Sequence, residues 1–375
     1  MDLRKFFKEI TDPRHPDKQT YPFEYLMLIA ICAAMAGIDS YAGIEDYAET
    51  HKEFFDSYFK TPYVPRHDTF IRLFQGIDIN EFEQWFRLKT QELIDFIERH
   101  NLPLVQEIKH MAIDGKTVRN SGFLTPYHIV TAWRSDYKLA VAQVKVEEKS
   151  NEITAIPTLL DAFDTLKDTV ITIDAMGCQI DICEKIISKN GDYIIAVKEN
   201  QPTLFMHVQA QIEEDFKQAY STCSTEDKGH GRREKRWCAA QTVNLTKFDF
   251  KQWPGIKAIF AVDADVYQKK KGQEKRTQST RYFVSSKAFE ANEALSFIRN
   301  HWGIEVNLHW CLDVSFNEDN ACCQRDNATI NMNLLRKFAL NILTLDKEKK
   351  SMTAMFRRCM NPHQPIKILR KFYDA

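Results

Sequence analysis

The chain has 375 residues, 44% of them hydrophobic, and a formal net charge of −1. That length can bury a substantial core in two or three structural units, and the composition excludes a disordered chain. No apolar run reaches the length of a membrane span, and Met1-Asp2-Leu3-Arg4-Lys5 lacks a signal-peptide profile, so a soluble cytoplasmic protein is expected. Nine unevenly spaced Cys, with Cys322-Cys323 the only close pair, read as reduced thiols rather than a disulfide framework or a zinc cage.

Residues 1–104 read as an all-helical N-terminal domain. The most apolar stretch, Phe23 to Ala36, fits a core helix carrying Leu26, Ile29, Ala30, Ala33 and Met35, with Gly37 near its end. Asp39-Ser40 offers a cap for the helix of Ile44, Tyr47 and Ala48, and Pro62 to Pro65 interrupts the pattern. Asp68 is then expected to cap a short helix with Phe70, Ile71 and Phe74, and Asn80 to cap the next, through Trp85 to Ile97. Short helices joined by tight turns suit plain all-α packing, or a helix-turn-helix-like unit whose DNA contacts would come from Arg66, His67, Thr69 and Arg72.

Residues 105–220 change to an α/β pattern. Ile108–Asp114, Tyr127–Trp133 and Lys138–Val146 read as an antiparallel meander of three strands. A helix from Ile153 to Phe163 follows, then a strand Val170–Asp174, a helix from Cys178 to Ser188 and a strand Tyr193–Val197. Three strands, helix, strand, helix, strand is the order of an RNase H-like core. In that order Asp114 lies on the first strand and Asp174 just after the fourth, where the two become neighbours at the sheet centre. Each Asp closes an apolar run near a Gly, as a turn former or helix cap does, but its recurrence in one context favours chemistry. Lys198, Asn200 and Gln201 follow the last strand at the same end as Asp174, placed either to touch phosphate, base or sugar or to form a surface turn.

Residues 221–288 read as a basic β-rich insertion, entered through a helix at about 204–220 and interrupting the core before its last helix. Arg232–Leu245, Ile256–Tyr267 and Gln278–Ser286 are its strands, and Lys269-Lys-Lys-Gly272 an exposed hairpin turn. In this insertion Lys and Arg outnumber Asp and Glu, and residues 347–375 form a basic tail. The near-zero net charge thus hides concentrated positive charge, as a phosphate-binding face requires. Arg232-Arg233-Glu234-Lys235-Arg236-Trp237 mixes cations with an indole, which suits grip on a DNA backbone or protection of an edge strand.

Residues 289–346 return to the core with the run Arg299-Asn-His-Trp-Gly-Ile-Glu305-Val-Asn-Leu-His309-Trp310. His301, Glu305, His309 and Asp313 recur every four residues and form a slowly drifting stripe on one helix face. The stripe could take a transition metal through His301, Glu305 and His309. The preferred reading gives Glu305 to Mg²⁺, leaves the two His to contact phosphate or fix the carboxylate, and packs Trp302 and Trp310 inside. Glu293 and Glu318 are neighbouring alternatives to Glu305. Two Asp at adjacent strand ends and a Glu on a helix across them make an all-oxygen donor set, and paired Mg²⁺ ions can stabilise both the attacking and the leaving oxygen of a phosphoryl transfer.

The chain resembles the DDE transposases of bacterial insertion sequences, and among them the ISAs1 type, also described as H-repeat-associated proteins. The resemblance covers nearly the whole chain. It rests on Asp12-Pro-Arg14 with Tyr21-Pro22, Pro65-Arg-His67-Asp68-Thr69-Phe with Arg72, Ala112-Ile-Asp114-Gly-Lys116, and Thr172-Ile-Asp174-Ala-Met-Gly-Cys-Gln179. Further matches are Lys198-Glu-Asn200-Gln201-Pro202, Gly229-His230-Gly231-Arg232 with Glu234 and Arg236, and His301-Trp-Gly-Ile-Glu305 followed by Leu308-His309-Trp310, Leu312-Asp313-Val314 and Phe316-Asn-Glu318-Asp319. Two departures stand out: Glu199 lies where the family often has Gly, and Ile298, His301 and Leu312 lie where several related transposases carry Tyr, Arg and Lys.

The resemblance implies an RNase H-like fold holding two Mg²⁺ ions, with Mn²⁺ as a substitute, on Asp114, Asp174 and Glu305, which cut transposon ends and join them to target DNA. Lys116, Lys198, Asn200, Gln201, His230, Arg232, Arg233, Arg236, His301, His309 and Arg72 are the candidate DNA contacts. The partners implied are the inverted-repeat ends and target DNA at the nucleoid, with a homodimer in the synaptic complex. Two further classes stay open: a catalytically silent DNA-binding relic, and a metal-dependent endonuclease that cuts without joining. The chain carries no P-loop pattern, in keeping with phosphoryl transfer that needs no nucleotide hydrolysis.

Overall fold

The computed structural model describes residues 2–61, 63–102, 109–119, 126–147, 150–214, 219–229, 231–270, 273–321, 327–346 and 350–374. A short helix α1 (Leu3–Phe6) precedes α2 (Phe23–Met35), in which every residue but Glu24 is buried. Gly37, at φ +76°, ends α2: its N–H and that of Ile38 bond back to the carbonyls of Ala34 and Ala33, a left-handed turn that suits glycine. The Ser40 side chain caps α3 (Tyr41–Thr50), and α4 (Lys52–Asp56), α5 (His67–Gly76) and α6 (Ile79–Arg99) follow. Two caps differ from expectation. Arg66 precedes α5, leaving Asp68 within its first turn, and Asp78 rather than Asn80 caps α6, accepting from the N–H groups of Asn80 and Glu81.

β1 (Lys109–Val118), β2 (Tyr127–Arg134) and β3 (Leu139–Lys145) form the expected antiparallel meander. Helix α7 (Glu152–Asp161) crosses to β4 (Thr169–Ile173), parallel to β1, and α8 (Ile180–Ser188) crosses to β5 (Asp192–Val197), parallel to β4. After α9 (Pro202–Glu214) come β6 (Ser221–Gly229), β7 (Arg232–Thr242), β8 (Ala258–Lys270) and β9 (Gln273–Ser285). All belong to one nine-stranded sheet ordered β3-β2-β1-β4-β5-β9-β8-β7-β6. The basic β-rich segment thus continues the core sheet through antiparallel pairing of β9 with β5. β6 was not expected: it is an edge strand of mostly polar, exposed residues, without the apolar alternation that betrays a strand.

The apolar residues of β4 and β5 alternate between two clusters: Ile171, Ile173, Tyr193 and Ile195 belong to one, Val170 and Ile194 to the other. Helices α7 and α8 lie over the first face. The second is covered by α10 (Ala291–His301), which brings Leu295, Phe297 and Ile298 to Val170 and Ile194. Beyond α10 the chain turns twice with π geometry, at Glu305–His309 and Cys311–Ser315. Then come α11 (Ala328–Asp346), α12 (Met352–Cys359) and α13 (His363–Tyr373).

The stretch expected as a basic tail is therefore largely helical, and Met355, Cys359, Ile366, Leu369 and Phe372 are buried in it. Helix α11 is buried from Ala328 through Leu343 and touches α2, α5, α6 and β3, so the N-terminal helices and the sheet share one apolar core. Among the described residues no helix is long and apolar enough to cross a membrane, and every cysteine is a free thiol. Cys322-Cys323, His230 and Lys271-Gly272 lie outside the described residues.

Candidate active site

Parallel pairing of β1 with β4 sets Ile113 opposite Ile173, so each aspartate follows its strand partner by one residue. Alternation along β1 puts His110, Asp114 and Lys116 on the α10 face: the His110 ring meets Phe297, and Lys116 reaches Asp313 beyond α10. Asp174 caps a single 3₁₀ turn, its Oδ1 accepting from the N–H of Met176 at 3.0 Å and of Gly177 at 3.4 Å. Asn200 Nδ2 donates to the Ala175 carbonyl at 2.6 Å and Gln201 Nε2 to the Cys178 carbonyl at 2.8 Å. Both amides, expected as candidate DNA contacts, tie down the turn that carries Asp174.

Glu305 opens the first π turn. Asp114, Asp174 and Glu305 together bound one cavity of about 910 Å³, whose wall also holds Lys198, Arg281 and Trp302. A second groove, of about 850 Å³, is lined by Asp114, Glu305, Arg119, His309 and Trp310. Glu305 thus stands between two open spaces and is itself exposed.

Burial raises the Asp114 carboxyl to about 7, helped by the negative charges of Glu152, Glu305 and Asp174 and opposed by the Gly115 N–H. His309 Nδ1 is 3.5 Å from Asp114 Oδ2, while its Nε2 is buried without a partner among the described residues. Burial, with Lys337 and Lys116 nearby, lowers its pKa to about 3, so the ring is neutral near pH 7. Three carboxylates bounding one cavity, one of them protonated chiefly by burial, fit a hard divalent cation by donor chemistry. Among the described residues no three His, Cys, Asp or Glu side chains stand close enough to hold an ion together, so they bound a space rather than a preformed cage.

The remaining candidates fall in three places. His301 lines the main cavity and ends a buried chain: Ser135 Oγ to His110 Nδ1 at 2.5 Å, His110 Nε2 to Thr172 Oγ1 at 2.8 Å, and Thr172 Oγ1 to His301 Nδ1 at 3.0 Å. Burial lowers the His301 pKa to about 4. Lys198 is exposed at the cavity rim, whereas Lys116 is held by Asp313 and Glu318.

Arg232 and Arg233 line a separate basic groove on the outer strands with Lys228, Lys235, Lys269 and Arg276. There Arg232 pairs with Glu234 at 2.9 Å and Arg233 with Glu226 at 2.7 Å, while nearby Arg236 pairs with Asp227 at 2.8 Å. Arg72 is exposed in a third groove, on the N-terminal helices beside Arg66 and Thr69.

Two expectations are corrected and two residues added. Trp302 and Trp310, expected to pack inside, are 44% and 55% exposed and flank Glu305 on the outer face. Glu152, unnoticed in the first turn of α7, accepts from His128 Nε2 at 2.6 Å and adds to the field on Asp114. Arg281 on β9 stacks its guanidinium 5.1 Å from the Trp302 ring at the cavity wall, and no motif marked it.

Comparison with known proteins places the chain in a family. Residues 106–342 match the family described as Transposase DDE domain, and residues 4–88 the family described as DDE_Tnp_1-associated. The chain is 36% identical over 360 residues to "Putative transposase YncI" of Escherichia coli O157:H7, covering 93% of this chain and 88% of that protein. It is 34% identical over 366 residues to "H repeat-associated putative transposase YhhI" of Escherichia coli (strain K12), covering 94% and 93% respectively. A cryo-EM structure of a piggyBac transposase synaptic complex with hairpin DNA aligns over 99% of this chain and 80% of that one, at 12% identity and a TM-score of 0.41, too distant to add to the argument. With the DDE domain matched over most of its length and relatives aligned nearly end to end, the chain belongs to the DDE transposase family.

Proposed function

We propose that this protein cuts the ends of an insertion sequence and joins them to target DNA, with Asp114, Asp174 and Glu305 as its catalytic carboxylates on an RNase H-like core. The observation that carries this reading is the delivery of three carboxylates to one cavity by two parallel strands and the helical segment laid across them. Asp114, Asp174 and Glu305 would hold two Mg²⁺ or Mn²⁺ ions, which when bound lower the pKa of an attacking water and stabilise charge on the phosphoryl oxygens. Lys198 and Arg281 on the cavity wall would meet the phosphates beside the scissile bond. The basic groove at Arg276 lies about 17 Å back along β9 from Arg281, at the usual rise of a strand, and would grip the flanking backbone.

In the first reaction a water oxygen displaces the 3′-oxygen of the scissile phosphodiester, leaving a 3′-hydroxyl and a 5′-phosphate. In the second, that hydroxyl displaces a 3′-oxygen in the target strand. Synapsis of two ends would make a homodimer the working assembly.

The test is cleavage and joining of a labelled duplex carrying the flanking inverted repeats, in Mg²⁺ or Mn²⁺, by wild type and Asp114→Ala. Cut and joined products that vanish in the variant are expected. Specific binding without any metal-dependent product would make the chain a non-catalytic DNA binder, and cutting without joining of a pre-cut end would make it an endonuclease.

A further inference from the structure

Of the stripe His301, Glu305, His309 and Asp313, only Glu305 enters the proposed chemistry, and each of the others reaches β4, which Asp174 follows, or β1, which carries Asp114. His301 Nδ1 is 3.0 Å from Thr172 Oγ1, two residues before Asp174 on β4. His309 Nδ1 is 3.5 Å from Asp114 itself. Asp313 Oδ1 accepts from Lys116 Nζ at 2.5 Å, two residues after Asp114 on β1. Residues four apart drift around an α-helix, but the wider π turns, closed by bonds from Trp310 N–H to the Glu305 carbonyl and from Phe316 N–H to the Cys311 carbonyl, pull them back toward one face.

The Lys116 end of this fastening is the more deeply built. The same ammonium donates to Glu318 Oε2 at 2.6 Å, and Glu318, only 2% exposed, takes Asn333 Nδ2 on its other oxygen at 2.8 Å. Ions at that depth interact strongly, and removal of Lys116 leaves buried Glu318 to Arg336, whose Nη1 is 3.7 Å away, and breaks the ion pair of half-buried Asp313. Strand pairing fixes Lys116 relative to Asp114, and the π turns fix Asp313 relative to Glu305.

We propose that Lys116 is a positioning residue whose bonds to Asp313 and Glu318 hold the π-helical segment against β1 and so set the separation of Glu305 from Asp114. This deepens the proposed function, on which its purpose rests, and it replaces the DNA contact expected of Lys116.

Lys116→Met keeps the stem of the side chain and removes the ammonium, Lys116→Arg restores a cation, and Asp313→Asn leaves the bond to Glu318 in place. Two readouts need no DNA: amide hydrogen exchange of the metal-free protein, and Mn²⁺ affinity from the electron paramagnetic resonance of the free ion. In Lys116→Met, exchange over residues 305–316 should quicken about tenfold or more while β4 and β5 stay unchanged. Mn²⁺ affinity should fall about tenfold, as when an outer partner of a ligand is lost. Lys116→Arg should recover part of both, and Asp313→Asn should show smaller shifts of the same sign, including where Lys116→Met fails to fold. Wild-type values for either readout in a folded Lys116→Met or Asp313→Asn overturn the proposal, as does faster exchange spread evenly through the sheet. A wild type that neither cuts nor joins DNA in any divalent ion removes the proposed function, and the exchange result alone then decides the role of Lys116.

Discussion

Asp114 holds its proton to about pH 7 because burial and the charges of Glu152, Glu305 and Asp174 all disfavour its ionised form. An acid whose pKa is higher folded than unfolded binds its proton more tightly in the native state. Its stabilising contribution is therefore complete below about pH 4, the unfolded value, and is lost as pH rises through the folded value. Asp114→Asn cannot ionise and escapes that loss. In metal-free protein the variant should match wild type near pH 4 and exceed it by about 1–2 kcal/mol near pH 8, allowing for partial solvent screening of the site. Urea unfolding at both pH values measures this, and a gap independent of pH would show that Asp114 carries no such load. Asp114 and Asp174 were legible in the sequence because each ends an apolar run. The role of Lys116 was not, because its partner Asp313 lies 197 residues away and nothing local distinguishes a buried lysine from one that faces phosphate.

The element that carries Glu305 was legible as a helix, but its pitch was not. With ordinary α-helical drift, Trp302 and Trp310 suit an inward position. Trp302, ahead of the first π turn, and Trp310, between the two, instead lie exposed with Val306 and Val314. Caps failed in a similar way: Asp78 and Asn80 are both good capping residues, and only the bonded backbone decides between them. How the segment meets the sheet depends on Gly303. A Cβ there would lie 2.8 Å from Cη2 and 2.9 Å from Cζ3 of Trp133, whose indole is 2% exposed and has little room to move. Gly303→Ala should lift the start of the segment, cost about 1–3 kcal/mol by overpacking, and lower metal-dependent cleavage more than DNA affinity. Denaturant melts and a binding titration run beside the cleavage assay would separate these effects. A variant as stable and as active as wild type would mean that Trp133 yields.

At the scale of the whole molecule, composition divided the chain in series, and α11 joins what composition separated. Three of its buried polar residues reach the end of α5 and strands β2 and β3. Asn331 Nδ2 donates to the carbonyls of Phe74 at 2.8 Å and Ile77 at 2.9 Å, at the end of α5. Lys337 Nζ donates to Thr131 Oγ1 at 2.8 Å and Gln143 Oε1 at 2.6 Å, on β2 and β3. Asn341 exchanges two bonds with the backbone of Ala140 on β3, its Oδ1 accepting at 3.0 Å and its Nδ2 donating at 2.8 Å. Contacts of such sequence separation leave no local pattern, which is why the attachment of α11 could not be read. They also bind the N-terminal helices and the sheet into one stability, since unfolding either would leave α11 with unpaired buried groups. Unfolding should therefore be a single cooperative transition in which far-ultraviolet circular dichroism and tryptophan fluorescence coincide. Asn341→Ala should lower the stability of the whole by about 2–4 kcal/mol, since two buried backbone groups lose their partner. Two resolved transitions, with only the later one moved by Asn341→Ala, would instead show that the N-terminal helices fold as a separate unit.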